Sequence, residues 1–252
     1  MLHEKMIGKS ISSGLTFDKS PTKAKLWADL IETGTISDEM LNNLPESWAV
    51  SEKWQTVLNK SVAEHGTTWL HELLLGVIAL NQEQFQSARE HFKQSLRYQD
   101  NVLAHRHLAL IAQHNGDYDE AKRRYLIAWD CSEELVPLAV EICRFFQTEN
   151  ALGDLAAFLA LLPDAVAQQE RIRLAQGQLC LETGAFDKLR EILDGDFFTI
   201  REGETVLTDL WSALHVQEVQ MHLGRSLTGE ERREIMIDKP VPDKIDFRMV
   251  NL

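Results

Sequence analysis

Between Trp69 and Asp130 the apolar and small residues run through one order twice, 33 positions apart. Leu75, Gly76, Ala79, Phe85, Ala88, Phe92 and Leu96 return as Leu108, Ala109, Ala112, Tyr118, Ala121, Tyr125 and Trp129. Each copy shows three-and-four spacing on both sides of a short polar break, and this predicts two helices per copy. The breaks, Asn81, Gln82, Glu83 and Asn115, Gly116, Asp117, are built from residues that favour turns. Small side chains at Gly76, Ala109, Ala88 and Ala121 let neighbouring helices approach closely, while Phe92 and Tyr125 fill the space between pairs.

The same reading extends to either side. The two copies predict helices over Thr68–Asn81 and Phe85–Tyr98, then Leu103–His114 and Tyr118–Trp129. A third pair, Val136–Thr148 and Leu152–Leu161, keeps a large apolar residue at Phe158 but places Asp154 where a small one is expected. In a fourth, Gly177, Phe186 and Leu193 lie 101 residues beyond Gly76, Phe85 and Phe92, and Gly184 marks the turn. Upstream, residues 1–19 have no sustained period and read as a mobile or extended leader. Ser20 and Pro21 start a helix striped by Ala24, Trp27, Ala28 and Ile31 and stopped at Gly34; a short helix follows Ser37; and Ser47–His65 forms another, closed by Gly66. Downstream, Phe197–Ile200 reads as a short extended connection before a helix over Val206–Leu223 that ends at Gly224. Pro240 and Pro242 argue against regular structure after Thr228. The expected organisation is a leader over 1–19, a helical N-terminal cap over 20–66, repeats over 67–195, a connection and capping helix over 196–226, and an extended tail over 227–252.

The repeated order of leucine, glycine, aromatic, alanine and aromatic resembles a tetratricopeptide repeat. The resemblance implies an all-α fold, a right-handed α-α superhelix or solenoid with an N-terminal helical prelude and a C-terminal capping helix. A second resemblance covers Pro45–Leu252. The strings IREGE and LTDLW between Phe198 and Trp211, with IDFRM over Ile245–Met249, are similar to the C-terminal region of bacterial proteins carrying the domain of unknown function 5107. In those proteins helical repeats follow a large β-rich portion similar to galactose mutarotase. No such portion precedes the repeats here, so sugar chemistry is not carried over to these residues, and a truncated remnant is one reading of the chain.

Composition narrows the function classes. With 252 residues, 44% hydrophobic and 26% charged, the chain has ample core material and the profile of a globular helical protein. A formal charge of -13 disfavours nucleic acid and anionic lipid as partners, because only short basic clusters such as Lys122, Arg123, Arg124 interrupt it. The first 17 residues contain no apolar run of a secretory signal, so the expected location is the cytoplasm. Cys131, Cys143 and Cys180 are odd in number and widely spaced, and read as reduced, mostly buried thiols rather than a disulfide or metal set.

The candidate chemistry is thin. His71 and Glu72 begin like a zinc-protease helix, but position 75 is Leu. His105 and His107 point to opposite sides of a helix, and His107 and His114 stand about 10.5 Å apart along one, too far to share an ion. The histidines therefore read as surface or groove residues. Glu202 and Glu204 suit the N-terminus of the following helix better than an acid and base pair. No phosphate loop, nucleophile elbow or dinucleotide fingerprint is present, so no catalytic residue, cofactor or metal is expected. In stacked helix pairs the first helix of each pair lines the concave face. That rule selects Asn81, Arg106, Gln113, His114, Gln147, Gln178 and Glu182 as groove residues able to hydrogen-bond an extended peptide. The expected function is a noncatalytic protein-protein interaction module, and the alternative is the helical accessory part of a carbohydrate-active protein whose β-rich portion lies on another chain.

Overall fold

A computed structural model describes residues 25–132, 134–201 and 203–249. The leader, the start of the helix expected at Ser20 and Pro21, and Glu202 lie outside the described residues. The chain is all-helical, with two compact units, Met1–Ser132 and Glu133–Leu252. The repeat block expected over 67–195 is divided between them.

In the first unit, α1 (Lys25–Glu32), α2 (Asp38–Leu41) and α3 (Glu52–His65) precede two long pairs, α4 (Trp69–Asn81) with α5 (Phe85–Tyr98) and α6 (Val102–His114) with α7 (Tyr118–Asp130). Helix α3 begins later than Ser47 because Ser51 takes the extended cap position, while the Ser47 hydroxyl accepts from the Trp27 indole at 3.1 Å. Helix α4 is apolar almost all round and supplies the centre of the core, with Leu70, Leu73, Leu74 and Ile78 buried between α1, α3 and α5 side chains. Its fit to α5 depends on Gly76: a Cβ there would stand 2.6 Å from Cε1 of Phe92. Polar groups at the α5–α6 corner are paired internally. Ser95 donates to the Trp69 carbonyl at 2.8 Å, Asn101 donates to Ser95, and the Asn101 side chain caps α6 by accepting from Ala104 N–H.

The second unit begins with α8 (Val136–Thr148) and α9 (Leu152–Leu161), where Phe146 packs against both Phe145 and Phe158. An unexpected turn of helix, α10 (Asp164–Ala167), follows Pro163 and buries Val166 before α11 (Glu170–Glu182) and α12 (Phe186–Asp194). Among the described residues of 195–205 there is no strand, and side chains of α11 fix this connection. Glu170 accepts from the backbone N–H groups of Phe198 and Thr199 and from the Thr199 hydroxyl, each at 2.7 Å. Arg173 donates to the carbonyls of Ile192 and Asp196 and lies 4.4 Å over the Phe197 ring. Phe197 and Ile200 are thereby buried with Leu207, Leu210 and Leu214 of α13 (Val206–Leu223).

The extended tail expected from residue 227 is corrected by a further helix, α14 (Gly229–Asp238). Thr228 and Glu231 form a capping box, and Pro240 and Pro242 come after the helix has ended, where they cost it nothing. Beyond α14 a single 3₁₀ turn, Asp243–Ile245, inserts Ile245 into the core, and Phe247 accepts from Gly203 N–H at 2.6 Å.

Candidate functional site

A cleft of about 620 Å³ opens on the second unit. Gln147 at the end of α8, Asn150 in the turn after it, Leu152 and Leu155 of α9, and Gln178, Leu181 and Glu182 of α11 line one part. Thr205 and the residues Val206, Asp209, Leu210 and Ala213 of α13 line the rest. Those four recur at intervals of three and four, so the first two turns of α13 turn a single face to the cleft. Leu155 and Leu210 are buried and form an apolar floor, while Gln178, Glu182 and Asp209 are exposed at the rim. The Gln147 amide donates to the side-chain oxygen of Gln178, and Asp209 accepts from the Thr205 hydroxyl at 2.8 Å.

Charge in the cleft is of one sign. Its lining includes Glu182, Glu204 and Asp209 and neither lysine nor arginine. Glu204 is committed to the fold: Arg171 donates to its two oxygens at 2.5 and 2.7 Å, and Arg201 N–H adds a third bond at 3.1 Å. This pairing holds the Glu204 carboxyl at about 2, so it carries its charge without being free to move a proton near neutral pH.

Of the residues selected from the sequence, Gln147, Gln178 and Glu182 line this cleft. Asn81, Arg106, Gln113 and His114 belong to the first unit, on α4 and α6. There Asn81 and His114 are exposed, Arg106 and Gln113 are half-buried, Gln113 accepts from the Tyr125 hydroxyl at 3.4 Å, and His114 stacks on Phe85 with ring centroids 4.2 Å apart. Asn150 and the α13 wall were missed, because α13 reads as an end cap whose whole apolar face turns inward. The mixed sequence of Val206, Asp209, Leu210 and Ala213 on one face was the available signal.

Three histidines expected at the surface or in the groove are buried instead. His71 lies between Ser61 and Thr68, with ring nitrogens 3.0 and 2.9 Å from their hydroxyls. His107 donates from Nδ1 to the Leu103 carbonyl at 2.6 Å and stacks on Phe92; burial pushes it down to about 4. His105 approaches Asp100 and Cys131 closely enough for the three to offer metal ligands. The thiols also differ from the expected buried set: Cys143 is buried and pushed up to about 12, Cys180 is half-buried, and Cys131 is exposed. Among the described residues no helix is long and apolar enough to cross a membrane.

Helix pairs stacked through small residues and large aromatics define an all-α, tetratricopeptide-like helical-repeat fold. One solved structure agrees. A TPR-domain containing protein from Parabacteroides distasonis aligns over 95% of this chain and 41% of its own with a TM-score of 0.56 at 15% identity, so this chain spans about two fifths of that protein's length. Pseudomonas aeruginosa PilF aligns over 75% of this chain and 80% of its own with a TM-score of 0.49 at 12% identity. One family model, described as Transcriptional regulator, SIX1, N-terminal SD domain, matches residues 136–242, under half of the chain. No curated protein matches. The resemblance to proteins with the domain of unknown function 5107 gains no support from these likenesses.

Proposed function

We propose that this chain is a noncatalytic protein-interaction module whose second unit takes a partner segment combining an apolar side chain with lysine or arginine. The observation that carries the reading is the cleft between α8, α9, α11 and α13: an apolar floor, amide side chains on the wall, and carboxylates with no cation among the lining residues. Amides at Gln147, Asn150 and Gln178 suit the backbone N–H and C=O groups of a peptide, which must be paired when water leaves. Glu182 and Asp209 supply the preference for a cation at the rim.

The test is a binding screen of the full chain against arrayed peptides in which basic and apolar residues are varied independently. Peptides carrying both are expected to bind, and reversing the rim charge with E182K and D209K together should weaken them by about tenfold or more. Equal retention of acidic and basic peptides, or unchanged affinity in the double variant, would remove the cleft as the site.

A further inference from the structure

Asp100 and Cys131 are 31 residues apart in the chain, yet one ligand atom from each and one from His105 all lie within 4.8 Å of one another. They come from three places. Asp100 belongs to the corner after α5, His105 to the first turn of α6, and Cys131 follows the last residue of α7. The fold therefore assembles a carboxylate, an imidazole and a thiol, the donor set preferred by borderline-soft divalent ions and not by calcium or magnesium. We infer that Asp100, His105 and Cys131 form a binding site for a four-coordinate thiophilic divalent cation of the zinc type, with the fourth position open to water.

The geometry requires only side-chain movement. Tetrahedral zinc bonds of roughly 2.0–2.3 Å place ligand atoms about 3.3–3.8 Å apart. Here His105 Nε2 stands 2.8 Å from Asp100 Oδ1, and Cys131 Sγ stands 3.9 Å from Asp100 Oδ2. Carboxylate and imidazole must part by about half an ångström while the thiol turns inward. His105 is the fixed member, its side chain 8% exposed, whereas the Asp100 side chain is 70% exposed and Cys131 is exposed, so both can adjust. A hollow of about 270 Å³ whose lining includes Asp100, Asn101, Cys131 and Ser132 leaves space for the water ligand.

Proton positions also balance. Arg124 Nη1 lies 3.1 Å from His105 Nδ1 and can only donate, so without metal Nδ1 accepts and Nε2 carries the proton that is donated to Asp100. On binding, the ion takes the Nε2 lone pair and the imidazole proton moves by way of solvent to Nδ1. Arg124 then turns away from Nδ1 toward Glu120, which already accepts from its Nε at 2.8 Å. Cys131 releases its thiol proton to solvent, giving one proton per ion bound. Burial and the charges of Asp100 and Asp130 push the Cys131 thiol up, so uptake goes on rising with pH over a wider range, and the same negative charges favour a cation once it arrives.

Cobalt(II) added to the full chain, kept reduced by a phosphine, is the direct probe. The expected result is a thiolate-to-cobalt charge-transfer band that saturates at one equivalent, with visible d–d bands of tetrahedral strength, and that is displaced by zinc. C131S should abolish the charge-transfer band; D100N and H105Q should each weaken cobalt binding by about tenfold or more; C180S should leave it unchanged. Far-ultraviolet spectra of the variants verify that the helices persist. Absence of the band in the wild-type chain, or its persistence in C131S, would overturn the site.

Discussion

Glu83 has φ of +59, a left-handed backbone conformation that costs a side-chain-bearing residue about 1–2 kcal/mol. The position is not arbitrary. Gly116, Asn150 and Gly184 occupy the corresponding turns with φ of +73, +52 and +71, and in each turn the next residue donates back across the helix end: Gln84 to Ala79, Asp117 to Ala112, Ala151 to Phe146, Ala185 to Cys180. Glycine at Gly116 and Gly184, and asparagine at Asn150, relieve a strain that Glu83 carries, so E83G is expected to raise stability by about 1 kcal/mol in denaturant unfolding. His107 makes a pH prediction. Its folded-state value is lowered from 6.5 to about 4, so the unfolded chain binds the proton more readily in that interval. Stability from this group is complete above about 6.5 and is lost as pH falls toward about 4. H107Q should flatten the thermal midpoint across that window, and an unchanged slope would show that His107 takes up the proton within the fold. Gly116 and Gly184 were readable as turns from residue type alone, whereas the burial of His107 against Phe92 was not, because it depends on a ring from another helix.

At the scale of the helices, local signals and neighbours contributed differently. The ends of α4 through α9 follow the apolar period and the turn residues closely, since each pair is closed by its own short-range hydrogen bonds. Ala121 is one of the small residues that must stay small: it is fully buried on α7, which packs against α6. A121D would bury a carboxylate in place of a methyl group, and a loss of several kcal/mol is expected, measured as a fall in the thermal midpoint of the helical circular dichroism signal. A midpoint equal to that of the wild type would contradict the repeat alignment itself. Pro240 and Pro242 mask helix α14 in the sequence, although Thr228 and Glu231 already spell its start. Helix α10 had no period to read, being a single turn whose burial of Val166 comes from its surroundings.

Over the whole molecule the formal charge of -13 governs which partners approach. Because phosphate contact requires clustered cations and the described cleft contains none, duplex DNA is expected to show no retardation by the chain at micromolar concentration and physiological salt. A shifted band whose intensity falls with added salt would contradict this. A basic peptide, by contrast with DNA, is expected to bind, and to associate more slowly as ionic strength rises, because screening shortens the reach of the acidic surface.

The amino-acid sequence by itself determined the helical class, the period near 33 residues and most helix limits, because these depend on side-chain spacing within one or two turns and on turn residues between them. Of the groove residues it selected, Asn81, Arg106, Gln113 and His114 lie in the first unit, whereas Gln147, Gln178 and Glu182 line the cleft. Only the tertiary structure decided that the first turns of α13 complete a cleft with them, that Arg171 neutralises Glu204 from 33 residues away, and that Asp100, His105 and Cys131 converge. The physical reason is one of range. Periodicity reports which side of a helix avoids water, but which distant side chain meets it there depends on how the helices pack, and packing is settled by the sum of many small contacts.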